Sequence, residues 1–412
     1  MQSWKPHQKH TVAASFISWT LDAFDFFILV FLFHRISAYF NTSITVISFT
    51  VMLTLICRPI GAFLFGILAE KYGRKRTLLI NVASYSIIQI ISAFSPTVTF
   101  FMLTRLIYGI AMGGVWGVAS TLAFEQSPAK SRGVISGLFQ AGYPFGYLLA
   151  SVVYGIFISF FDWRGMFILA GLIPLIFLLP YLYFKVPVSD VWLEQKKQRQ
   201  NENKSVALDI IYAIKNNWKV CIFIVIMMAA FNFFSHGTQD LYPTFLTIQH
   251  HLDSTTVSII AVCYNISSII GGIFFGIFSQ RIGRRNAILI AALLALPVIP
   301  LWAFAGAPIW VGLGAVLMQF FVQGAWGVVP TYLNELTPKQ AQTTLPGFAY
   351  QLGNVIASIN APLQAIIAEH HGGNYGVGLA WVAGTVSIVL VILMLVARLM
   401  PNITNPKNLS TI

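Results

Sequence analysis

Long apolar runs, broken at regular intervals by short polar or charged clusters, dominate the chain. Twelve runs separate at charge or turn signals, at approximately 12–34, 46–69, 77–96, 99–122, 134–160, 164–184, 219–243, 256–279, 286–305, 308–332, 344–368 and 376–399. A helix needs about 20 apolar residues to cross the hydrocarbon core of a bilayer. Backbone polar groups find no water there, so helices that satisfy their own hydrogen bonds are the expected form. The predicted fold class is an all-α membrane protein with twelve transmembrane helices. Most connections are short, but 185–218 contains SDVWLEQKKQRQNENKSVALD. This charged stretch reads as a linker between an N-terminal six-helix bundle, 1–184, and a C-terminal one, 219–412. Within it, VALDIIYAIKNNWK has apolar positions at helical spacing with lysines opposite, the pattern of a helix lying in the membrane interface.

Composition agrees. Charged residues make up 9% of the chain and hydrophobic ones 57%, against about 25% charged in a soluble domain. A net charge of +12 would suggest nucleic acid in a soluble protein. Here the basic residues fall in alternate loops. Counting from a cytoplasmic N-terminus, the inner set holds Lys5, Lys9, Lys71, Arg74, Lys75, Arg76, Lys130, Arg132, the linker cations, Arg281, Arg284, Arg285, Lys339, Arg398 and Lys407. The outer set holds Arg35 and Arg164. This asymmetry predicts a cell-membrane protein with both termini cytoplasmic and no nucleic-acid partner. Cys57, Cys221 and Cys263 lie in apolar runs without metal spacing and read as packing residues. The pairs His250–His251 and His370–His371 lack acid or cysteine partners at ligand spacing, so no metal or other cofactor is expected. No nucleophile–base pair or phosphate loop suggests an enzyme.

An internal repeat organises the two halves. GILAEKYGRKR begins at Gly66 and GIFSQRIGRRN at Gly276, 210 residues later. The same offset relates Trp116 to Trp326, Glu125 to Glu335, Pro128 to Pro338 and Gly137 to Gly347. Both halves place this loop on the same side, so they are parallel repeats in two pseudo-symmetric bundles, with a substrate site expected between them near the midplane. The offset also maps Asp22 onto Asn232 and Asp25 onto Ser235. Within the seventh run, FNFFSHGTQDLYPT stacks Asn232, His236 and Asp240 on one helical face, with Ser235 and Gln239 beside them. Two readings stand. The stripe glues helices together near a wet helix end, or it is a proton and substrate site, since ionisable groups at membrane depth face a cavity or a partner.

GILAEKYGRKR resembles the loop signature of the major facilitator superfamily through Gly66, Lys71, Gly73, Arg74, Lys75 and Arg76, with Glu70 where aspartate is usual. The second copy, with Gln280, is degenerate. LTRLIYGIAMGG resembles the family's fourth-helix pattern through Arg105, Gly109 and Gly113. GLFQAGYPFG resembles its fifth helix through Gly142, Pro144 and Gly146. LDAFDFF is similar to the first-helix aspartate pair of acid:proton symporters. NFFSHGTQDLYPT resembles the seventh-helix signature of lactate and pyruvate permeases in the sialate:proton symporter family, with Thr238 for a serine. The resemblance implies proton-coupled uptake of a short monocarboxylate, lactate or pyruvate. It gives substrate and proton roles to Asn232, His236 and Asp240, places Arg58 and Gln351 in the passage, and links Arg105 to proton coupling. Sialic acid or another sugar acid is the alternative cargo. A non-transporting membrane sensor on the same fold is the alternative from another class.

A small anion crossing lipid needs a fixed cation or donors, because bare burial of charge is costly. Arg58 offers a planar fork for a carboxylate. It is equally suited to pairing with Asp22 or Asp25 and holding helices together. Asp240 with His236 is the expected proton relay, and Asp25 and Asp22 follow. Tyr143, Tyr350 and Trp116 are expected to line the passage. Glu125 and Glu335 read as gating groups that bond the basic loops, including Arg74 and Arg284, or as simple solvated ends. Arg105 is open to a packing role, and Gly109, Gly113 and Gly117 permit close helix approach. The expected partners are an organic acid anion, a proton and the bilayer, with the chain acting as a monomer.

Overall fold

The computed structural model describes residues 6–125, 135, 138–189, 192–194, 215–337 and 345–399. Lys5, Lys130, Arg132, Gly137, Lys339, Lys407 and most of the linker lie outside the described residues, as do the side chain of Glu70 and residues 206–214 of the expected interfacial helix. All regular structure among the described residues is helical. The first six rods are α1 (Pro6–Tyr39), α2 (Ile44–Tyr72), α3 (Arg74–Ala93), α4 (Val98–Gly113, continued by Val115–Glu125), α5 (Gly142–Phe157) and α6 (Trp163–Ile173, a π-turn at Pro174–Leu178, then Leu179–Lys185). The second six are α7 (Trp218–Gln239, continued by Tyr242–Ile248), α8 (Ser254–Ile282), α9 (Arg284–Ala295, a 3₁₀ turn at Leu296–Val298, then Ile299–Phe304), α10 (Pro308–Leu336), α11 (Leu345–Ala357, continued by Asn360–His370) and α12 (Tyr375–Leu399). Ten of these are long and apolar enough to cross a membrane, by length and composition, among the described residues. The other two, α5 and α11, fall on the fifth and eleventh expected segments and are shortened by a break or an undescribed end.

The outward faces carry large apolar side chains that water would not tolerate in such number, Phe63, Phe177 and Ile309 among them. Polar groups turn inward. Helix starts differ between the two ends. Ser43, Thr97, Asp162 and Asp253 cap α2, α4, α6 and α8 with side-chain oxygens, all at one end. At the opposite, basic end, α3 and α9 start from Gly73 and Gly283 without a side-chain cap. Those two glycines lie 210 residues apart, with φ of 95° and 87°, a backbone conformation that side chains with a Cβ rarely adopt.

The repeat holds in three dimensions. Arg74 Nε lies 3.2 Å from Glu125 Oε1, and Arg284 Nε lies 3.3 Å from Glu335 Oε1. The expected link between these acids and their basic loops is therefore present in both halves. Close packing joins α2 to α4 and α8 to α10. A methyl group at Gly109 or Gly113 would collide with the carbonyl oxygen of Thr54 or Arg58. One at Gly271 or Gly327 would collide with that of Phe320 or Gly272. A methyl group at Gly117 or Gly66 would meet open space, and one at Gly276 would lie 3.7 Å from the carbonyl oxygen of Gly327, ordinary contact, so the small-residue spacing is used only in part. Cys57 and Cys221 are buried, but Cys263 is exposed on the outer face of α8, a correction to its expected packing role.

Candidate functional site

The site forms where α7 stops. Asp240 is the residue after Gln239, and its N–H still donates to the His236 carbonyl at 2.9 Å. The chain then restarts as a second helix with Pro243 in its first turn, where a missing N–H costs nothing. Asp240 is only 1% exposed, so it is not a wet helix end. His236 Nδ1 lies 3.1 Å from both oxygens of Asp240. The ring meets Phe26 of α1 edge to face at 5.9 Å, so this pair looks across at the other half of the molecule. Asn232 donates to the Tyr350 carbonyl of α11 at 3.3 Å.

Behind α1 lies a second polar group. Arg58 of α2 is 3.6 Å from Asp22, and both are fully buried. Arg105 donates to Gln89 Oε1 at 2.9 Å and lies over the Tyr108 ring at 3.8 Å. The Asp22 and Asp25 carboxylates, two nitrogens each of Arg58 and Arg105, and the Tyr85 and Tyr108 hydroxyls have no hydrogen-bond partner among the described residues. Two acids and two arginines balance in formal charge.

Between the halves lies a cavity of about 730 Å³. Gln140 and Tyr143 of the first half face Asn232, His236, Gln323, Trp326 and Tyr350 of the second across it, and Gln280 and Arg284 place its mouth at the basic end. The opposite end is shut. Tyr264 donates to the Tyr147 hydroxyl at 2.5 Å, which donates to the Gln239 carbonyl at 3.2 Å. Tyr154 bonds Ser254 at 3.3 Å, Ser258 bonds the Ser151 carbonyl, and Thr45 bonds Glu369. Phe27 stacks on Tyr147 at 3.9 Å.

The structure thus brings Asn232, His236, Tyr143 and Tyr350 to one cavity, Tyr143 facing the other three across it, with Asp240 bonded to His236. Arg58, Gln351 and Trp116 are absent from the described lining. Arg58 is drawn toward Asp22, Gln351 accepts from Asn354 at 3.2 Å, and Trp116 sits beside Tyr350 with ring centroids 5.7 Å apart. Asp22 and Asp25 are fully buried and lie outside that lining. Gln319 and Gln323 escaped the sequence reading. Gln323 donates to Ser235 at 3.1 Å, Ser235 to Gln239 at 3.2 Å, Gln239 to Gln319 at 3.0 Å, and Gln319 to Thr238 at 2.9 Å. Their signal was available. They stand one helical turn apart in an apolar run, and the repeat maps them onto Gly109 and Gly113. Among the described residues, no cluster of histidine, cysteine or acid could hold a metal.

Comparison with known proteins fits this geometry. The Major Facilitator Superfamily model matches residues 15–250 and 222–411. A Saccharomyces cerevisiae protein described as a carboxylic acid transporter protein homolog is 31% identical over 339 residues, 77% of this chain. The match spans only 54% of the yeast protein's length. The Escherichia coli sialic acid transporter NanX is 25% identical over 95% of this chain and 94% of its own. Among solved structures, the partially occluded, inward-open xylose transporter XylE of E. coli superposes with a TM-score of 0.77 at 19% identity, covering 95% of this chain and 98% of that one. That likeness speaks for the fold alone. Two pseudo-symmetric bundles, a cavity between them and a family match across the chain lead to one statement: this is a multi-pass membrane protein of the major facilitator superfamily, a transporter and not an enzyme.

Proposed function

We propose that the chain is a proton-coupled symporter that takes up a short monocarboxylate such as lactate or pyruvate by alternating access. The observation that carries this reading is the buried His236–Asp240 pair, 3.1 Å apart, on a helix whose polar face borders the cavity between the halves. Moving a proton with each carboxylate removes the net charge that would otherwise cross lipid at high cost. Asn232, His236, Tyr143 and Tyr350 form the substrate wall. Arg58, released from Asp22, meets the carboxylate when the halves rock, and Gln351 joins from α11. Asp25 and Asp22 hold the coupled proton in the other part of the cycle, with Arg105 tuning them. In this reading the halves 1–184 and 219–412 move about the linker 185–218, the basic end faces the cytoplasm of a cell-membrane protein, and one chain suffices. Glu125 with Arg74, and Glu335 with Arg284, act as gating groups.

The second reading, a sialic or other sugar acid, draws support from the cavity. About 730 Å³ is ample for a nine-carbon acid and generous for a three-carbon one, and a sialic acid transporter aligns over nearly the whole chain. Proteoliposomes with an imposed inward pH gradient decide between them. Accumulation of labelled lactate supports the first reading and accumulation of sialate the second. Accumulation of neither, in counterflow as well, leaves a sensor.

A further inference from the structure

The pseudo-symmetric halves differ at their basic ends. In the first half, the segment after α6 folds back over the loop. Ser189 donates to Glu125 Oε2 at 2.7 Å, and the Trp192 ring lies 3.4 Å from where a Cβ of Gly73 would be. Lys75 donates to the Tyr183 carbonyl at 2.8 Å and lies over the Tyr183 ring at 5.6 Å. In the second half, nothing described lies within 4 Å of the equivalent point on Gly283. A cleft of about 350 Å³ opens there instead, lined by Arg284, Arg285, Asn286, Tyr332, Glu335 and Arg398 together with Leu289, Met394 and Leu395.

Three arginines face one carboxylate, so the cleft carries an excess of two positive charges. Arg284 is partly committed to Glu335 and to Ser279 at 2.6 Å. Arg285 is held by Tyr332 at 3.2 Å and by the Ala397 carbonyl at 2.9 Å, which fixes its fork at the rim. Arg398 is exposed, and no side-chain bond involving it occurs among the described residues. The apolar side of the cleft runs onto the outer face of α12, where Ile392, Leu395 and Leu399 are exposed to lipid. A held guanidinium and an exposed one beside an acyl-facing wall at the membrane surface match one ligand chemistry: a phosphodiester with hydrocarbon attached. Residues 400–412 contain Lys407 and no aspartate or glutamate.

We propose that this cleft binds the headgroup of an anionic phospholipid, with Arg398 and Arg285 on the phosphate and the acyl chains along Leu395. The proposal is independent of the transported acid. The test uses full-length, delipidated protein in detergent and native mass spectrometry. Phosphatidylglycerol, phosphatidylcholine and soluble glycerol phosphate are titrated separately. One phosphatidylglycerol is expected to be retained per chain at least tenfold more tightly than phosphatidylcholine. Arg398→Gln is expected to weaken it at least fivefold, and Arg398→Lys to restore at least half of that loss. Unchanged binding in Arg398→Gln overturns the site. Glycerol phosphate binding as tightly as the lipid overturns the lipid as its source. Deletion of 401–412 leaves affinity unchanged if the cleft is open; a gain above fivefold makes the tail its resident and overturns the proposal. Circular dichroism of each variant checks that the helices persist.

Discussion

Replacing Tyr147 with phenylalanine tests the closed end of the molecule with little disturbance of packing. The ring keeps its 3.9 Å stack on Phe27. Only the hydroxyl is lost, and with it the bond from Tyr264 at 2.5 Å and the bond to the Gln239 carbonyl at 3.2 Å. Both partners are then buried without a bond in the present conformation. Each such group costs about 1–3 kcal/mol. When the halves part at this end, water reaches both groups and the cost disappears. The equilibrium is therefore expected to move toward the conformer open at this end by about 2–6 kcal/mol, a factor of roughly 30 or more. Spin labels at Phe160→Cys, 77% exposed in the turn after α5, and at His370→Cys, exposed at the end of α11, report the separation. Cys57, Cys221 and Cys263 are first removed. Double electron–electron resonance is expected to show the ratio of long to short distances rising at least fivefold. An unchanged distribution would refute the idea that these hydroxyls hold the halves shut.

Other perturbations follow the same logic. Asp240→Asn is expected to abolish accumulation driven by a pH gradient while sparing some exchange; with one proton per anion the wild type accumulates about tenfold per pH unit, and an unaltered ratio in the variant would remove Asp240 from coupling. Arg58→Ala is expected to raise the half-saturation concentration at least tenfold, equivalent to losing a charge-assisted bond of about 1.5–3 kcal/mol, with normal membrane insertion by blotting. Gly113→Val drives a side chain into the Arg58 carbonyl and is expected to destabilise by at least about 1–3 kcal/mol, read as a lower midpoint in thermal unfolding; an unshifted midpoint would mean that α2 and α4 separate freely. The Asp253 carboxyl is held below the usual carboxylate range by the Thr256 hydroxyl first, then by the Thr255 and Thr256 amides. A lowered folded-state value means that the cap is in place above the unfolded value of about 3.9 and is lost as pH falls through the folded one. Protection of the first-turn amides of α8 from hydrogen exchange, taken relative to the intrinsic rate at each pH, is therefore expected to fall only in that acid range, and at every pH in Asp253→Ala.

Much of the architecture could be read from hydrophobicity alone, because lipid leaves the backbone so few choices. Every expected apolar segment holds a helix, and the 210-residue offset foretold the matched Arg–Glu pairs at both basic loops. The spacing of Asn232, His236 and Asp240 told which side chains share a face. It could not tell what that face meets, because partners come from helices far away in sequence. Tyr147 with Tyr264 and Ser151 with Ser258 are ordinary residues in greasy runs until two bundles approach. Gln319 and Gln323 were hidden for a related reason. The repeat drew the eye to what the halves share, and these two are where they differ. Arg58 was a visible oddity, but its approach to Asp22 at 3.6 Å depended on how α1 and α2 pack.

The contacts backed by Gly109 and Gly113 between α2 and α4, and by Gly271 and Gly327 between α8 and α10, leave no room for a side chain where these helices cross. A disulfide engineered across one of these pairs should be silent in transport, while one spanning α5 and α8 at the tyrosine end should arrest the cycle. An inhibitor that wedges apart the helices of one bundle would have to break backbone-to-backbone packing. The effective place to jam such a machine is the seam where its two blocks slide.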